Sequence, residues 1–180
     1  QGEALEKKLV ETARRYGIEI IGPNTLGLIS THAGLNATFY PLGELPRGRA
    51  SFITQSGGMG LAILQKARDE GLGISKWVGV GNRSTLEVTD YLAYLAQDES
   101  TSVIGLFLEG TEDAGRLARV AGRVARQKPV VVYKVGRSGK ADFAALTHTG
   151  SMAGIYRLYR QIFGEQFGLL MVESTLAMVA

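Results

Sequence analysis

The sequence contains no cysteine, and this absence removes several kinds of chemistry at once. Without thiols the chain has no disulfides, no thiolate zinc site and no cysteine nucleophile. Histidine is scarce too, with 2 residues in 180, and no pair of residues shows metal-ligand spacing. We therefore expect no metal site, and a cysteine-free chain fits a reducing compartment such as the cytoplasm.

Long hydrophobic runs and one-sided charge are also missing. No apolar run approaches the roughly 20 residues that cross a bilayer, and no signal peptide opens the chain. The formal net charge is only +3, and basic residues alternate with acidic ones instead of forming a polybasic block. We expect neither membrane nor nucleic-acid binding. Because the first residue is Gln1 and not Met, we expect a piece of a longer protein.

The chain shows regular strand–helix alternation from residue 50 onward. Four apolar segments are predicted as strands: ASFIT (50–54), SKWVGVG (75–81), SVIGLFLEG (102–110) and KPVVVYKVG (128–136). FGLLMVES (167–174) is a candidate last strand. Helical segments lie between them. Near-continuous apolar strands separated by helices predict a parallel sheet covered on both faces, and hence a doubly wound α/β domain.

The first 48 residues follow a different pattern. Residues 3–16 have apolar positions at helical spacing, and IEIIG (18–22) predicts a short buried strand. Residues 25–48 contain Gly, Pro and Asn without a sustained period, which predicts a connector between two units.

Polar motifs follow three of the predicted strands, where ligands bind in sheets of this kind. The first is TQSGG, in which Gly57 and Gly58 allow a ligand close to backbone N–H groups and Ser56 offers a hydroxyl. A helix beginning near Gly57 would add a partial positive charge, so the motif is a candidate phosphate site. An ordinary turn capped by Ser56 explains the same residues.

The other two motifs supply a histidine and a carboxylate. His148 lies in THTGS, among small and hydroxyl residues, and neutral imidazole is a good nucleophile near neutral pH. Glu109 follows a long apolar strand, where it could accept the second ring N–H of His148. Taken alone, Glu109 is better explained as a solvated residue at the start of a loop, and His148 as an ordinary surface or core histidine. His32, in the connector, is interpreted as a structural or surface residue.

The motifs occur together in an order that resembles the NDP-forming acyl-CoA synthetases, relatives of the succinyl-CoA synthetase α subunit. The resemblance rests on IGPNTLG, FITQSGGMG, VGVGNRSTLEVTDYLAYLAQDESTSVIGLFLEG, KPVVVYKVGRSG and THTGSMAG, and it runs from about Gly22 to Gly154. It implies a flavodoxin-like three-layer α/β/α domain over residues 49–180. Residues 1–24 would be the last helix and strand of a Rossmann CoA-binding domain, with 25–48 as connector.

The resemblance also implies roles for the site residues. His148 would be transiently phosphorylated, Ser56, Gly57 and Gly58 would hold the phosphate, and Glu109 would contact the histidine. The implied reaction is acyl-CoA + phosphate + ADP ⇌ acid + CoA + ATP. The complete enzyme would use CoA, a small carboxylic acid and ADP or ATP with Mg²⁺, with an ATP-grasp domain or subunit as partner and a homo-oligomer as a compatible assembly. No cofactor is expected to bind tightly to this chain.

The sequence departs from the family around the histidine, where Asp142 and Phe143 replace small or basic residues and Ile155 follows closely after Ser151. Two other functions stay open at this stage. One is a regulatory, non-catalytic ligase-like module of an acetyltransferase fusion. The other is a flavodoxin-like FMN carrier, for which TQSGG is a poor phosphate loop and Trp77 is expected in the core.

Overall fold

The computed structural model describes residues 2–111, 113–136 and 156–179, which form one sheet with helices on both faces. The chain begins with helix α1 (Gly2–Tyr16), as its apolar spacing predicts. The strand predicted at 18–22 is wrong, since these residues pair with no strand. Ile20 is instead held by the Thr85 hydroxyl, which accepts from the Ile20 N–H at 2.7 Å and donates to its carbonyl at 3.2 Å.

Seven strands make up the sheet, in the spatial order β2-β1-β4-β3-β5-β6-β7. They are β1 (Gly27–Ser30), β2 (Leu35–Thr38), β3 (Arg47–Thr54), β4 (Ile74–Gly79), β5 (Val103–Leu108), β6 (Val130–Lys134) and β7 (Leu170–Val172). The five strands β4-β3-β5-β6-β7 are parallel to one another. When these five strands are counted along the chain from β3 as the first, their spatial order is 2-1-3-4-5, which is the order of the flavodoxin-like fold.

The helices form a layer on each face of the sheet. Helices α3 (Val88–Gln97), α4 (Ala114–Ala125) and α5 (Tyr156–Tyr159, continued by a π-helix Arg160–Gln166) share one apolar cluster with β5. Helix α2 (Gly57–Asp69) and the 3₁₀ helix Leu176–Met178 share a second cluster, which includes the buried Trp77. The predicted three-layer α/β/α domain is confirmed. None of the described helices is long and apolar enough to cross a bilayer.

The segment 25–48, expected as a connector, contains two strands that the sequence pattern did not reveal. β1 and β2 form a hairpin, and β1 pairs antiparallel with β4, so the sheet is mixed. Both strands have four residues, and β2 is almost wholly exposed, which leaves little apolar alternation to detect. A Cβ on Gly27 would lie 2.0 Å from the Ala37 carbonyl oxygen, so glycine permits this close pairing.

Helix α2 packs tightly onto the sheet through a glycine. A Cβ built on Gly60 would lie 2.6 Å from both Thr54 Oγ1 and Trp77 Cζ2. These neighbours are buried, so a side chain there would push the helix away from the strands. Two residues earlier, Gly58 has no atom within 4 Å of such a Cβ.

We predict that Gly60→Ala lowers the free energy of unfolding by about 1–3 kcal/mol through overpacking. Gly58→Ala is the matched control and should leave stability unchanged or slightly higher, because alanine is the better helix former. Urea unfolding of both variants checks this. Equal stability of the two would contradict the packing account.

A network of polar side chains stabilises the edge of the sheet at which the parallel strands begin, its amino edge. Lys76 Nζ lies 2.7 Å from Asp98 Oδ2, and the side chains are 17% and 14% exposed. Ser100 donates to Asp98 at 2.8 Å and Thr101 at 2.5 Å. Burial would raise the pKa of Asp98, but the hydrogen bonds and the positive charge of Lys76 outweigh it and hold that pKa well below its usual range.

We predict that Asp98→Asn costs about 3 kcal/mol of unfolding free energy at pH 7, since Lys76 loses its buried partner. Because the pKa of Asp98 is lowered in the folded state, its ionised carboxylate stabilises the fold above about pH 4. This stabilisation is lost progressively as the pH falls below that value. The deficit of the variant should therefore shrink at about pH 3. The control is Asp69→Asn, whose side chain is 65% exposed beside Arg68. A deficit independent of pH would contradict the assignment.

Candidate functional site

At the carboxyl edge of the sheet, β3 and β5 form the switch point at which a doubly wound sheet has its crevice. From β3 the chain turns into α2 on one face, whereas from β5 it turns toward α4 on the other face. The strand order reverses at this point, and ligands of open α/β sheets bind in such a crevice. Two of the three predicted motifs, TQSGG and EG, lie here on neighbouring parallel strands.

The side chain of Gln55 joins the two turns. The backbone N–H of Gln55 donates to the Phe107 carbonyl at 3.3 Å and so extends the pairing of β3 and β5 by one bond. Its Oε1 accepts from the N–H groups of Glu109 at 2.5 Å and Gly110 at 3.0 Å. Its Nε2 donates to the Gly110 carbonyl at 2.7 Å. The turn that begins α2 and the turn that carries Glu109 are thus fixed to each other.

Ser56 begins α2 as its N-cap. The residue has extended backbone angles, and its hydroxyl accepts from the Met59 N–H at 3.3 Å. The cap explanation that the sequence left open is thus confirmed for Ser56. The N-terminus of this 13-residue helix carries a partial positive charge that favours an anion.

The two glycines of the turn differ in their surroundings. A Cβ on Gly57 would lie 3.2 Å from Leu26 Cγ, so Gly57 lets the segment after α1 pack against the helix. Gly58 is exposed, and a Cβ there would meet nothing within 4 Å. Only Gly58 therefore has open space beside its backbone, as a ligand cradle requires.

Lys134 and Tyr159 lie on either side of the segment that contains His148. Lys134 ends β6, is fully buried and donates to the Val135 carbonyl. Its Nζ is 4.9 Å from the ring centroid of Tyr159, at the end of the α-helical part of α5. Burial raises the pKa of the Tyr159 phenol. The two ends of the histidine segment are thus held near the carboxyl end of β6.

His148 itself lies outside the described residues, as do THTG (147–150) and the last three residues of GRSG (137–139). His32 is exposed, and its Nε2 is 2.9 Å from the Gly48 carbonyl oxygen, in agreement with a surface role. Within the described ranges no group of three His, Asp or Glu side chains could hold a metal ion.

Sequence reasoning found the two turns but missed the residues that join and support them. Gln55 was part of the quoted motif TQSGG and was given no role. Only its position in the chain could have indicated a role, because Gln55 directly follows β3, which the 2-1-3-4-5 strand order places beside β5. Leu26 and Lys134 gave no signal, because their contacts depend on tertiary packing.

Comparison with known proteins agrees with this architecture. Residues 47–180 match the family described as succinyl-CoA ligase like flavodoxin domain. The chain is 47% identical over 174 residues to an acetate–CoA ligase (ADP-forming) I of Archaeoglobus fulgidus, covering 97% of the chain and 25% of that protein. It is 41% identical to the α subunit of acetate–CoA ligase (ADP-forming) II of Pyrococcus furiosus, covering 37% of that subunit.

A solved structure shows the same fold. The dinucleotide-forming acetyl-coenzyme A synthetase 1 of Candidatus Korarchaeum cryptofilum, in complex with phosphate and ADP, superposes with a TM-score of 0.87 at 40% identity. The match covers 96% of this chain and 37% of that one. The chain thus spans between a quarter and somewhat over a third of these similar proteins.

We predict that Ser56→Ala lowers the free energy of unfolding by about 1 kcal/mol through loss of the cap, whereas Ser56→Asp retains stability because aspartate caps equally well. Thermal unfolding checks both. Two variants of equal stability would show that the hydroxyl does not serve as a cap.

Proposed function

We propose, from the premise that the chain belongs to the family of succinyl-CoA ligase-like flavodoxin domains, that it is the phosphohistidine-carrying part of an NDP-forming acyl-CoA synthetase. The reaction is acyl-CoA + phosphate + ADP ⇌ acid + CoA + ATP. The names of the similar ligases favour acetate or a related small acid as the acyl group. They also favour this catalytic role over the regulatory alternative.

The chemistry proceeds in three transfers. A phosphate oxygen attacks the thioester carbon, the C–S bond breaks, and CoA leaves while an acyl phosphate forms. An imidazole nitrogen of His148 then attacks phosphorus, and the P–O bond to the acyl group breaks to release the carboxylate. Finally a terminal oxygen of ADP attacks the phosphohistidine, and the P–N bond breaks to give ATP.

One observation carries the proposal: the N-terminus of α2 and Glu109 meet at the switch point of the sheet, fixed to each other by Gln55. Free N–H groups at a helix N-terminus neutralise phosphate charge without reorganisation. A carboxylate beside an imidazole stabilises the positive charge that develops on the ring. These are the two requirements of phosphoryl transfer to histidine.

The chain geometry allows His148 to reach this place. β6 lies two strands from β3, which is about 10 Å at ordinary strand spacing. His148 precedes Tyr156 by eight residues, and eight residues span up to about 27 Å. Its segment starts and ends near the carboxyl end of β6, where Lys134 contacts Tyr159.

The remaining assignments concern parts outside this domain. Leu5 and Leu9 of α1 are 67% and 44% exposed, which supports residues 1–24 as part of a CoA-binding domain that covers this helix. Residues 25–48 would connect it to the domain of residues 49–180. An ATP-grasp domain or subunit would supply the nucleotide. That partner would also bind the Mg²⁺ that accompanies ADP or ATP. The whole protein would be located in the cytoplasm.

Phosphoramidate tests the proposal without the partner, because it transfers its phosphoryl group to imidazole. Its P–N bond breaks, a P–N bond to histidine forms, and a proton completes the leaving ammonia. We predict that His148 is labelled at least about tenfold faster than exposed His32. Mass spectrometry of peptides isolated at alkaline pH measures both sites in one sample.

Three variants provide the controls. His148→Asn should abolish labelling at that site and leave the unfolding transition unchanged. Glu109→Gln should slow labelling of His148 about 10- to 100-fold, the usual contribution of a carboxylate that supports an imidazole. Ser56→Asp should retain the fold but slow labelling, because its charge opposes phosphate. Equal labelling of His148 and His32 would overturn the proposal, as would unfolding of His148→Asn.

A further inference from the structure

We propose that Gln55 is a positioning residue of this site, which sets the location of Glu109 relative to the phosphate-binding end of α2. The inference rests on the proposed function and extends it to a residue that would touch neither phosphate nor imidazole. Its basis is the set of side-chain hydrogen bonds between Gln55 and the turn after β5.

Both ends of the Gln55 amide are used, which fixes its orientation. Oε1 faces two N–H groups, those of Glu109 and Gly110, and Nε2 faces the Gly110 carbonyl. The reverse orientation would direct the NH₂ group at donors and the oxygen at an acceptor. The amide therefore acts as an additional peptide group inserted between the strands.

Such a group is needed at this place because the backbones separate. The last backbone bond between the two strands is from the Gln55 N–H to the Phe107 carbonyl. Beyond this bond the two chains turn to opposite faces of the sheet. The N–H groups of Glu109 and Gly110 and the Gly110 carbonyl then have no backbone group of the β3 chain beside them. Buried or half-buried polar backbone groups require partners, and Gln55 supplies all three of these bonds.

The consequence concerns the geometry of Glu109. Its own backbone nitrogen is one of the groups held, 2.5 Å from Gln55 Oε1, so the backbone from which its side chain extends is fixed there. Ser56 and Gly57, which begin α2, follow Gln55 directly in the chain. A single side chain thus holds the backbone that carries the Glu109 carboxylate in place relative to the helix N-terminus. Displacements of about 1 Å at such sites cost about 100-fold in rate.

A double-mutant cycle in the full chain tests this assignment. Gln55→Met removes the amide at similar size, and Glu109→Gln removes the charge that the amide positions. The probe is phosphoramidate, and the rate is the labelling of His148 relative to His32. We expect each single variant to be about tenfold slower or more, and the double variant to be no slower than Glu109→Gln alone.

Non-additivity separates positioning from a general loss of stability, which would multiply with the effect of Glu109→Gln. Gln65→Met, on the exposed side of α2, is the matched control and should label as the unmodified chain does. Should Gln55→Met fail to fold, Gln55→Asn takes its place, since it keeps a neutral amide that is one methylene too short to reach all three of its partners. It should show the same non-additivity with a smaller rate effect.

The outcomes distinguish the two claims. Preferential labelling of His148, with Gln55→Met as fast as the unmodified chain or with multiplicative rate effects, overturns the positioning role and leaves the proposed function intact. Loss of preference for His148 over His32 in the unmodified chain overturns both. A slowed Gln55→Met with a non-additive double variant supports the inference.

Discussion

The side-chain amide of Gln55, placed between two parallel strands where their chains separate, is the interaction on which the proposed site depends. A flavodoxin-like strand order requires α2 and α4 to lie on opposite faces of the sheet, and the crevice between β3 and β5 follows from that requirement. The same separation leaves backbone groups without partners. One glutamine satisfies them and thereby joins a helix N-terminus to the turn that carries Glu109. The fold thus separates the two chains at its switch point and creates the need for the residue that joins them.

The two edges of the sheet have separate tasks. The amino edge contains the buried ion pair of Lys76 and Asp98 with its ring of hydroxyl donors, and its contribution is to stability. The carboxyl edge contains the half-buried Gln55 and Glu109 and the open space beside Gly58. Because the core lies between the edges, a substitution at the carboxyl edge can alter chemistry while the amino edge continues to hold the strands. This separation makes variants of the site interpretable.

The sequence was sufficient for the architecture from residue 50 onward because β3, β5 and β6 are buried on both faces and read as apolar runs. The hairpin β1–β2 escaped prediction because its short strands are mostly exposed, and residues 18–22 were mistaken for a strand because their isoleucines suggest one. In the site, Ser56 and Glu109 could be selected from chemistry and from strand ends. The role of Gln55 could not, because it depends on which strand lies beside β3 and on the register Thr54–Phe107. Gly57 was selected as a phosphate glycine, and its packing against Leu26, 3.2 Å from the position of a Cβ, could not be selected with it because that contact depends on the tertiary fold.

We propose that the amides of Gly57 and Gly58 and the ring of His148 bind one anion together. A titration with inorganic phosphate, followed by NMR of these amides and of the His148 ring carbons, tests it most directly. We expect all of these resonances to shift along one common saturation curve, with the His32 ring unaffected. Shifts of the glycine amides without any response of the His148 ring, or a response of both histidines alike, would contradict it.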